Sequence, residues 1–239
     1  MAKLDASTRD KLKTVSTATL CTALFKRGFH RQFIQDVRPL NGALPNMVGE
    51  AVTLRYMPAR EDLNPLSVFQ DRDHPQRRAI DECPPGAVFV IDSRKDARAA
   101  SAGSILVTRL MVRGAAGIVT DGGFRDAPEI ARMAFPAYHN RPSAPTNLTL
   151  HQAIDVNVPI GCGDAPVWPG DVIVGDGEGV VVIPAHLAGE IAAEAVEMTA
   201  FEDFVTVEVQ AGRSILGLYP ATDAQAQADF AAWRKAHKR

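Results

Sequence analysis

Cysteine is scarce in this chain of 239 residues: Cys21, Cys83 and Cys162 are widely scattered and form no CxxC pair. That spacing excludes a disulfide framework or a cysteine zinc site, and the three read as small buried residues of a reducing compartment. An excess of either charge is also missing. Lys and Arg number 26 against 28 Asp and Glu, a net charge of −2, which argues against a generic nucleic-acid binder. Residues Met1 to Ser7 contain no apolar signal core, and no run approaches the length of a membrane span. We therefore expect a soluble, cytoplasmic protein with neither nucleic acid nor membrane among its partners. No repeat or linker divides the chain, and 46% hydrophobic residues suffice for one substantial core.

What is present alternates between strand and helix patterns. Leu12, Val15, Leu20, Leu24 and Phe25 recur at near-helical spacing over Thr8 to Lys26, and Gly28 offers a stop. Residues 49–56 alternate as a strand. Met57 to Arg78 is a polar excursion, a loop or a short helix near a site. Val88 to Asp92 reads as a strand covered on both faces. Helices are expected at 104–113, 127–132 and His186 to Glu202, and strands at 117–120, 153–160 and 171–183. Two prolines in Arg141 to Asn147 argue for a loop, and a short amphipathic helix carries Phe230, Trp233 and Arg234. This order indicates an α/β layered domain.

The most informative stretch runs from Arg113 to Glu129. A β-branched run, Ile118-Val119-Thr120, ends in the turn-forming Asp121-Gly122-Gly123, and Arg125 and Asp126 follow at once. An arginine that grips a carboxylate, beside an aspartate that holds a metal, suits a small oxo-acid site. A surface ion pair after a tight turn fits the spacing equally well.

The segment from Ala102 to Arg109, leading into Arg113-Gly114, resembles the core of a known family. That family contains class II 4-hydroxy-4-methyl-2-oxoglutarate aldolases and the regulator of ribonuclease activity A. Ser16 to Leu20, Pro85 to Asp92, Pro169 to Asp176 and Gly179 to Pro184 resemble further family segments in the same order, so the likeness spans roughly residues 12 to 215. It implies an α/β fold, a single-domain layered α/β/β/α sandwich of the RraA-like type over 1–239, with a C-terminal helical extension at about 221–239. Fold likeness does not settle the reaction.

The resemblance implies an active site built from Arg125, Asp126 and the backbone starting at Gly103. A physical case stands beside it. Residues Ser104, Ile105 and Leu106 open a helix, whose first-turn N–H groups bind anions such as a 2-oxo-acid carboxylate. Arg125 would hold oxo-acid oxygens in a forked contact. Asp126 would ligate Mg²⁺ or Mn²⁺, directly or through water. The metal would polarise the C2 carbonyl and so stabilise the enolate of retro-aldol cleavage. No lysine lies in this constellation, which makes a Schiff-base route less attractive.

Two positions depart from the family. Metal-dependent aldolases usually carry an acidic residue twenty-one places before the arginine, where this chain has Ser104. Its hydroxyl supplies no charge but can hydrogen-bond a metal-bound water. Thr22 stands where many relatives have aspartate. Glu129 fits a trailing acidic position and is a weaker metal candidate, with a helix N-terminal charge as the alternative role. Glu197 and Glu202 lie in a region from which relatives extend an acidic residue to the neighbouring subunit's metal waters, with Glu202 preferred. Asp121 reads as a turn residue, Asp92 as a strand-end residue with a carboxylate role behind the site as its lesser alternative, and His139 as a solvated loop histidine with a proton-donor or substrate-contact role as its alternative. Arg60, Arg72, Arg77 and Arg78 read as solvated, although a distal carboxylate would suit them.

The expected function is a divalent-metal-dependent carbon–carbon lyase that cleaves a 4-hydroxy-2-oxo acid to pyruvate, with oxaloacetate decarboxylation by the same enolate chemistry. Alternatives are a non-enzymatic ribonuclease-binding regulator, or a dehydratase or hydrolase acting on a sugar-acid-derived 2-oxo acid. The resemblance also implies a homo-oligomer, a trimer or hexamer with its sites at subunit boundaries. Apolar Phe201, Phe204, Val205 and Val207, with Leu216, Leu218, Tyr219 and Trp233, are compatible with such burial, as is folding back within one subunit.

Overall fold

Apolar runs such as 88–91, 172–174 and 180–183 need cover on both faces, and they form the middle of the protein. The computed structural model describes residues 4–237. Its first half contains α1 (Ala6–Leu12), α2 (Thr17–Phe25), β1 (Arg38–Pro39), β2 (Met47–Pro58), α3 (Pro75–Glu82), β3 (Val88–Asp92) and β4 (Ala100–Ala102). Next come α4 (Ser104–Val112), β5 (Gly117–Thr120), β6 (Gly123–Phe124), α5 (Ala127–Ile130), β7 (Ala137–His139) and β8 (Arg141–Pro142). The remainder comprises β9 (His151–Val156), β10 (Ile160–Cys162), β11 (Ala165–Val167), β12 (Val172–Gly175), β13 (Val180–Ile183), α6 (Ala188–Gln210) and α7 (Ala224–His237). Among the described residues, no helix is long and apolar enough to cross a membrane.

The main sheet has eight strands in the order β1-β7-β5-β3-β2-β12-β13, with β9 also paired to β2. Strands β2, β3, β5 and β7 run parallel, while β1, β9, β12 and β13 are antiparallel to their neighbours. Alternation along β3 divides the core. Phe89 and Ile91 pack with Ile80 of α3, Val107 and Leu110 of α4 and Ile130 of α5. Val88 and Val90 pack on the other side with Ile160 and Val167 of the β10–β11 hairpin. Helices α1, α2 and α6 cover β12 and β13 through Leu12, Leu20, Ile191 and Ala195. The result is the expected layering of helix, sheet, sheet and helix.

A second, three-stranded sheet joins β4, β6 and β8 in parallel, with Ala102 opposite Phe124 and Phe124 opposite Pro142. Buried hydroxyls anchor it to the main sheet. Ser101 Oγ lies 2.7 Å from both Ser93 Oγ and Thr120 Oγ1, linking β4 to the ends of β3 and β5. Satisfied polar clusters of this kind fix a unique geometry, since any slip leaves a buried hydroxyl unpaired.

Several boundaries differ from the sequence expectation. The stretch Thr8 to Lys26 is two helices, because Ser16 turns extended and its side chain caps the Thr19 N–H. The polar excursion contains a 3-10 turn at Leu66–Gln70 and the α3 helix, opened by Pro75 in its first turn. The expected loop at Arg141 to Asn147 starts with β8, where a parallel edge position tolerates Pro142. Helix α6 continues past Glu202 to Gln210. Its extension carries Phe204 and Val205 into a cluster with Leu218 and Ala226, against which Phe201, Phe230 and Trp233 also pack. The chain therefore covers much of this apolar set itself, leaving Val207, Leu216 and Tyr219 exposed.

Candidate active site

Two strand ends meet side by side. Strand β4 runs into Gly103 and the N-terminus of α4, and its neighbour β6 runs into Arg125 and Asp126. The Arg125 backbone N–H donates to the Ala102 carbonyl at 3.1 Å, holding the two exits together. Gly103 is extended, with φ of −129°, so backbone freedom does not call for glycine there. Space does. A Cβ on Gly103 would stand 2.7 Å from Arg125 Cγ and 3.0 Å from Asp126 Oδ2. The missing side chain lets both charged residues lie across the helix entrance.

Asp126 adopts φ 57° and ψ 29°, a left-handed conformation that Asp and Asn reach more readily than most residues. Its Oδ2 accepts from the Ser104 N–H at 3.3 Å, lies 3.4 Å from Ser104 Oγ, and is 3.7 Å from Arg125 Nε. The carboxylate thus sits at the positive end of α4. Both side chains remain partly open to solvent.

These residues line one cavity of about 210 Å³. Gly103, Ile105, Leu106, Arg125 and Asp126 form one part of its wall; Gln76, Arg77, Thr146 and Asn147 form another. Ser104 is buried behind the wall and touches the site through Asp126. Glu129 is exposed on α5 and does not line the cavity. Glu202 accepts from the Thr19 hydroxyl at 2.9 Å, away from the cavity of its own chain.

The lower wall is a fixed polar network. The Tyr56 hydroxyl donates to the Ser101 carbonyl at 2.8 Å, while Gln76 Nε2 donates to Tyr56 Oη at 2.6 Å and to Ser101 O at 2.8 Å. Burial pushes the Tyr56 phenol above its ordinary value, so it stays protonated. Gln76 is 1% exposed, and its Oε1 has no partner. Asn147 Oδ1 accepts from Thr146 Oγ1 at 3.2 Å, and the Asn147 amide faces the Tyr56 hydroxyl. Arg77 lays its guanidinium 4.2 Å over the Phe69 ring.

Sequence reasoning underrated this second wall. Arg77 is not a solvated loop cation, whereas Arg60 pairs with Asp62 and Arg78 with Asp73 as surface residues do. Its neighbours Gln76 and Asn147 gave no signal, since single amides in polar stretches carry none. His139 is a correction as well. It ends β7, is 8% exposed and stacks on Phe124 at 5.5 Å, and burial pushes its imidazole down to about 4. It lies outside the cavity wall.

Asp121 acts as an organiser of turns. It accepts N–H groups from Ser93 at 2.7 Å, Lys95 at 3.0 Å and Gly163 at 3.2 Å. Burial, reinforced by the charge of Asp92, pushes its carboxyl up to about 6. Asp92 accepts the Arg94 N–H at 2.8 Å, and burial raises its carboxyl also. Neither lines the cavity.

Among the described residues, no group of three or more His, Cys, Asp or Glu is arranged to hold a metal ion. The site nonetheless fits a Mg²⁺-type ion, which binds through one or two carboxylates and keeps several waters. Asp126, the one carboxylate among the described lining residues, could hold such an ion, and the Ser104 hydroxyl donates to that carboxylate from behind.

The RraA-like family, described as Aldolase/RraA, matches residues 17–182, and the chain belongs to it. Among curated relatives, a Halalkalibacterium halodurans protein named "Putative 4-hydroxy-4-methyl-2-oxoglutarate aldolase" is 38% identical over 107 residues, covering 45% of this chain and 50% of the relative. The chain spans about half the length of the curated relatives it matches. Among solved structures, Streptomyces coelicolor RraAS2, an unusual member of the RNase ES inhibitor RraA protein family, superposes with a TM-score of 0.74 at 29% identity, covering 85% of this chain and 98% of that one. An uncharacterized protein from Pseudomonas syringae pv. tomato shares the fold, with a TM-score of 0.75 at 23% identity over 90% of this chain and 98% of its own.

Proposed function

We propose that the chain is a divalent-metal-dependent carbon–carbon lyase that cleaves a 4-hydroxy-2-oxo acid and releases pyruvate. The observation that carries this reading is the cavity in which Gly103 gives up its side chain so that Arg125 and Asp126 share the entrance of α4. Arg125 holds the 2-oxo-acid carboxylate through a forked contact, with help from the Ile105 N–H, since the Ser104 and Leu106 N–H groups already donate to Asp126 Oδ2 and Gly103 O. Asp126 would hold a Mg²⁺ or Mn²⁺ ion, which when bound would supply Lewis-acid stabilisation of charge on the C2 oxygen. In cleavage, the 4-hydroxyl loses its proton, C3–C4 breaks, and its electron pair passes into the pyruvate enolate. Asp126 is the one carboxylate among the described lining residues, so the proton acceptor is Asp126 or a water it orients. Protonation of the enolate at C3 completes pyruvate.

The test is a coupled assay for pyruvate release from a panel of 4-hydroxy-2-oxo acids and oxaloacetate, after EDTA treatment and resupply of Mg²⁺ or Mn²⁺. Metal-dependent release supports the reading, and no release from any acid with either metal overturns it. A ribonuclease regulator is favoured by one observation, Ser104 in place of the acidic residue, and by the likeness to RraAS2. Slowing of an RNase ES-type enzyme by the purified chain would support that alternative. The active form is a trimer or hexamer in the cytoplasm, in which Glu202 approaches the neighbouring subunit's site.

A further inference from the structure

Strand β4 carries a β-bulge. Ala100 stands opposite Gly123 and Ala102 opposite Phe124, so two steps along β4 match one along β6, and Ser101 is left without a partner in the ladder. Ser101 is fully buried, and a buried backbone carbonyl outside a ladder needs donors from elsewhere. Two side chains supply them: Tyr56 Oη and Gln76 Nε2 each donate to Ser101 O at 2.8 Å. Tyr56 is itself held in place. Its ring stacks on His151 at 5.3 Å, and its oxygen receives Gln76 Nε2 at 2.6 Å and faces the Asn147 amide. His151 is fixed in turn. Arg94 can only donate to its Nδ1, which leaves Nε2 to donate to the Asp96 carbonyl at 3.1 Å. A separate hold acts on the Ser101 side chain, whose Oγ lies 2.7 Å from Ser93 Oγ and from Thr120 Oγ1.

We propose that the Ser101 bulge sets the geometry of the Arg125–Asp126 site, with Tyr56 and Ser101 as its positioning residues. Neither lines the cavity, so both act through the chain that follows the bulge. One residue on, the Ala102 carbonyl accepts the Arg125 N–H, and the next residue, Gly103, opens α4. The extra residue decides where the end of β4 falls against β6. The two holds on Ser101, one on its carbonyl and one on its hydroxyl, therefore fix the spacing between the α4 entrance and the charged pair. Releasing either hold lets the same peptide shift. The proposal rests on the lyase reading of the site and gives a role in rate to two buried residues that touch no substrate.

Steady-state kinetics of metal-dependent pyruvate release test it in the wild-type chain, Tyr56→Phe, Ser101→Ala, the double variant and Ile191→Val. The two single variants spare the fold. Phe keeps the ring on His151, and without the Ser101 hydroxyl Ser93 and Thr120 still bond each other at 3.1 Å. Ile191, fully buried in the cover of β12 and β13, is the control: it loses a buried methylene away from the bulge. Each single variant should lower kcat about tenfold, as a displacement of a fraction of an ångström would. The double variant should fall little below the weaker single, because both holds act on one peptide. Ile191→Val, with a comparable drop in melting temperature, should keep the wild-type kcat. Melting curves confirm folding, and Ser101→Ala decides alone should Tyr56→Phe fail to fold. Wild-type kcat in a folded single variant, an equal loss in Ile191→Val, or a double loss equal to the product of the singles overturns the positioning role and leaves the lyase reading standing. No release by the wild-type chain from any acid overturns that reading and the proposal with it.

Discussion

The Arg125 backbone N–H donates to the Ala102 carbonyl at 3.1 Å, so the strand carrying the cation is stitched to the strand that feeds α4. That one bond decides what faces Gly103. Gly103→Ala is allowed by the backbone, since φ is −129°, but its Cβ collides with Arg125 and Asp126. Displacing catalytic groups by about 1 Å costs on the order of 100-fold in rate. We expect that loss in kcat/KM for pyruvate release, with about 1–3 kcal/mol of stability lost to overpacking. A fully active Gly103→Ala chain would contradict the placement of the pair.

Asp126→Asn separates charge from conformation. Asn tolerates the left-handed backbone at φ 57° as Asp does, so the melting temperature should be retained. Turnover with resupplied Mg²⁺ or Mn²⁺ should fall at least about 100-fold. Normal turnover would remove Asp126 from the metal and catalytic role.

Arg125→Lys keeps the positive charge and loses the planar fork. Steady-state kinetics should show KM rising and kcat falling, each by about tenfold. Unchanged constants with every 2-oxo acid would make Arg125 a structural partner of Asp126.

Acid sensitivity should trace in part to His139. Burial holds its imidazole at about 4 in the folded chain, against an ordinary value of 6.5. The unfolded chain therefore binds the extra proton first, and stability is lost as pH falls from 6.5 towards 4. With His139 only 8% exposed, the loss is about 2–3 kcal/mol. Asp121 has the opposite sign in an overlapping window: its carboxyl is raised from 3.8 to about 6, so its protonation stabilises the fold as pH falls through that range. Urea midpoints at pH 7 and pH 4.5 should differ less in His139→Gln than in the parent chain. An equal or larger difference would show that His139 is not held neutral.

Light scattering tests assembly. Phe204 and Leu218 are covered within the chain, but Val207, Leu216 and Tyr219 stay exposed near the same end of α6. We expect a trimer or hexamer of the 25.7 kDa chain. A fully active monomer at micromolar concentration would sink both the ring and the cross-subunit role of Glu202.

Local pattern alone was enough for the elements whose burial is written along the chain. The apolar run of β3, the Ile-Val-Thr run of β5 and the start of α4 after Gly103 all lie where the sequence places them. The adjacency of Arg125 and Asp126 is covalent, so it too could be read without coordinates. The break at Ser16 and the length of α6 could not, because capping and docking against α7 override periodicity there.

The wall opposite Arg125 was decided by tertiary structure. Strands β4 and β6 have three and two residues, built from Ala, Ser, Gly and Phe, too short to show a hydrophobic period. The placing of β4 against the main sheet rests on hydroxyl bonds among Ser93, Ser101 and Thr120, which join residues up to 27 positions apart. Gln76 and Asn147 acquire meaning only when the chain brings them to Tyr56, Ser101 and one shared cavity. A sequence states which side chains prefer burial; which polar atoms are then left without partners follows from how the buried surfaces fit together.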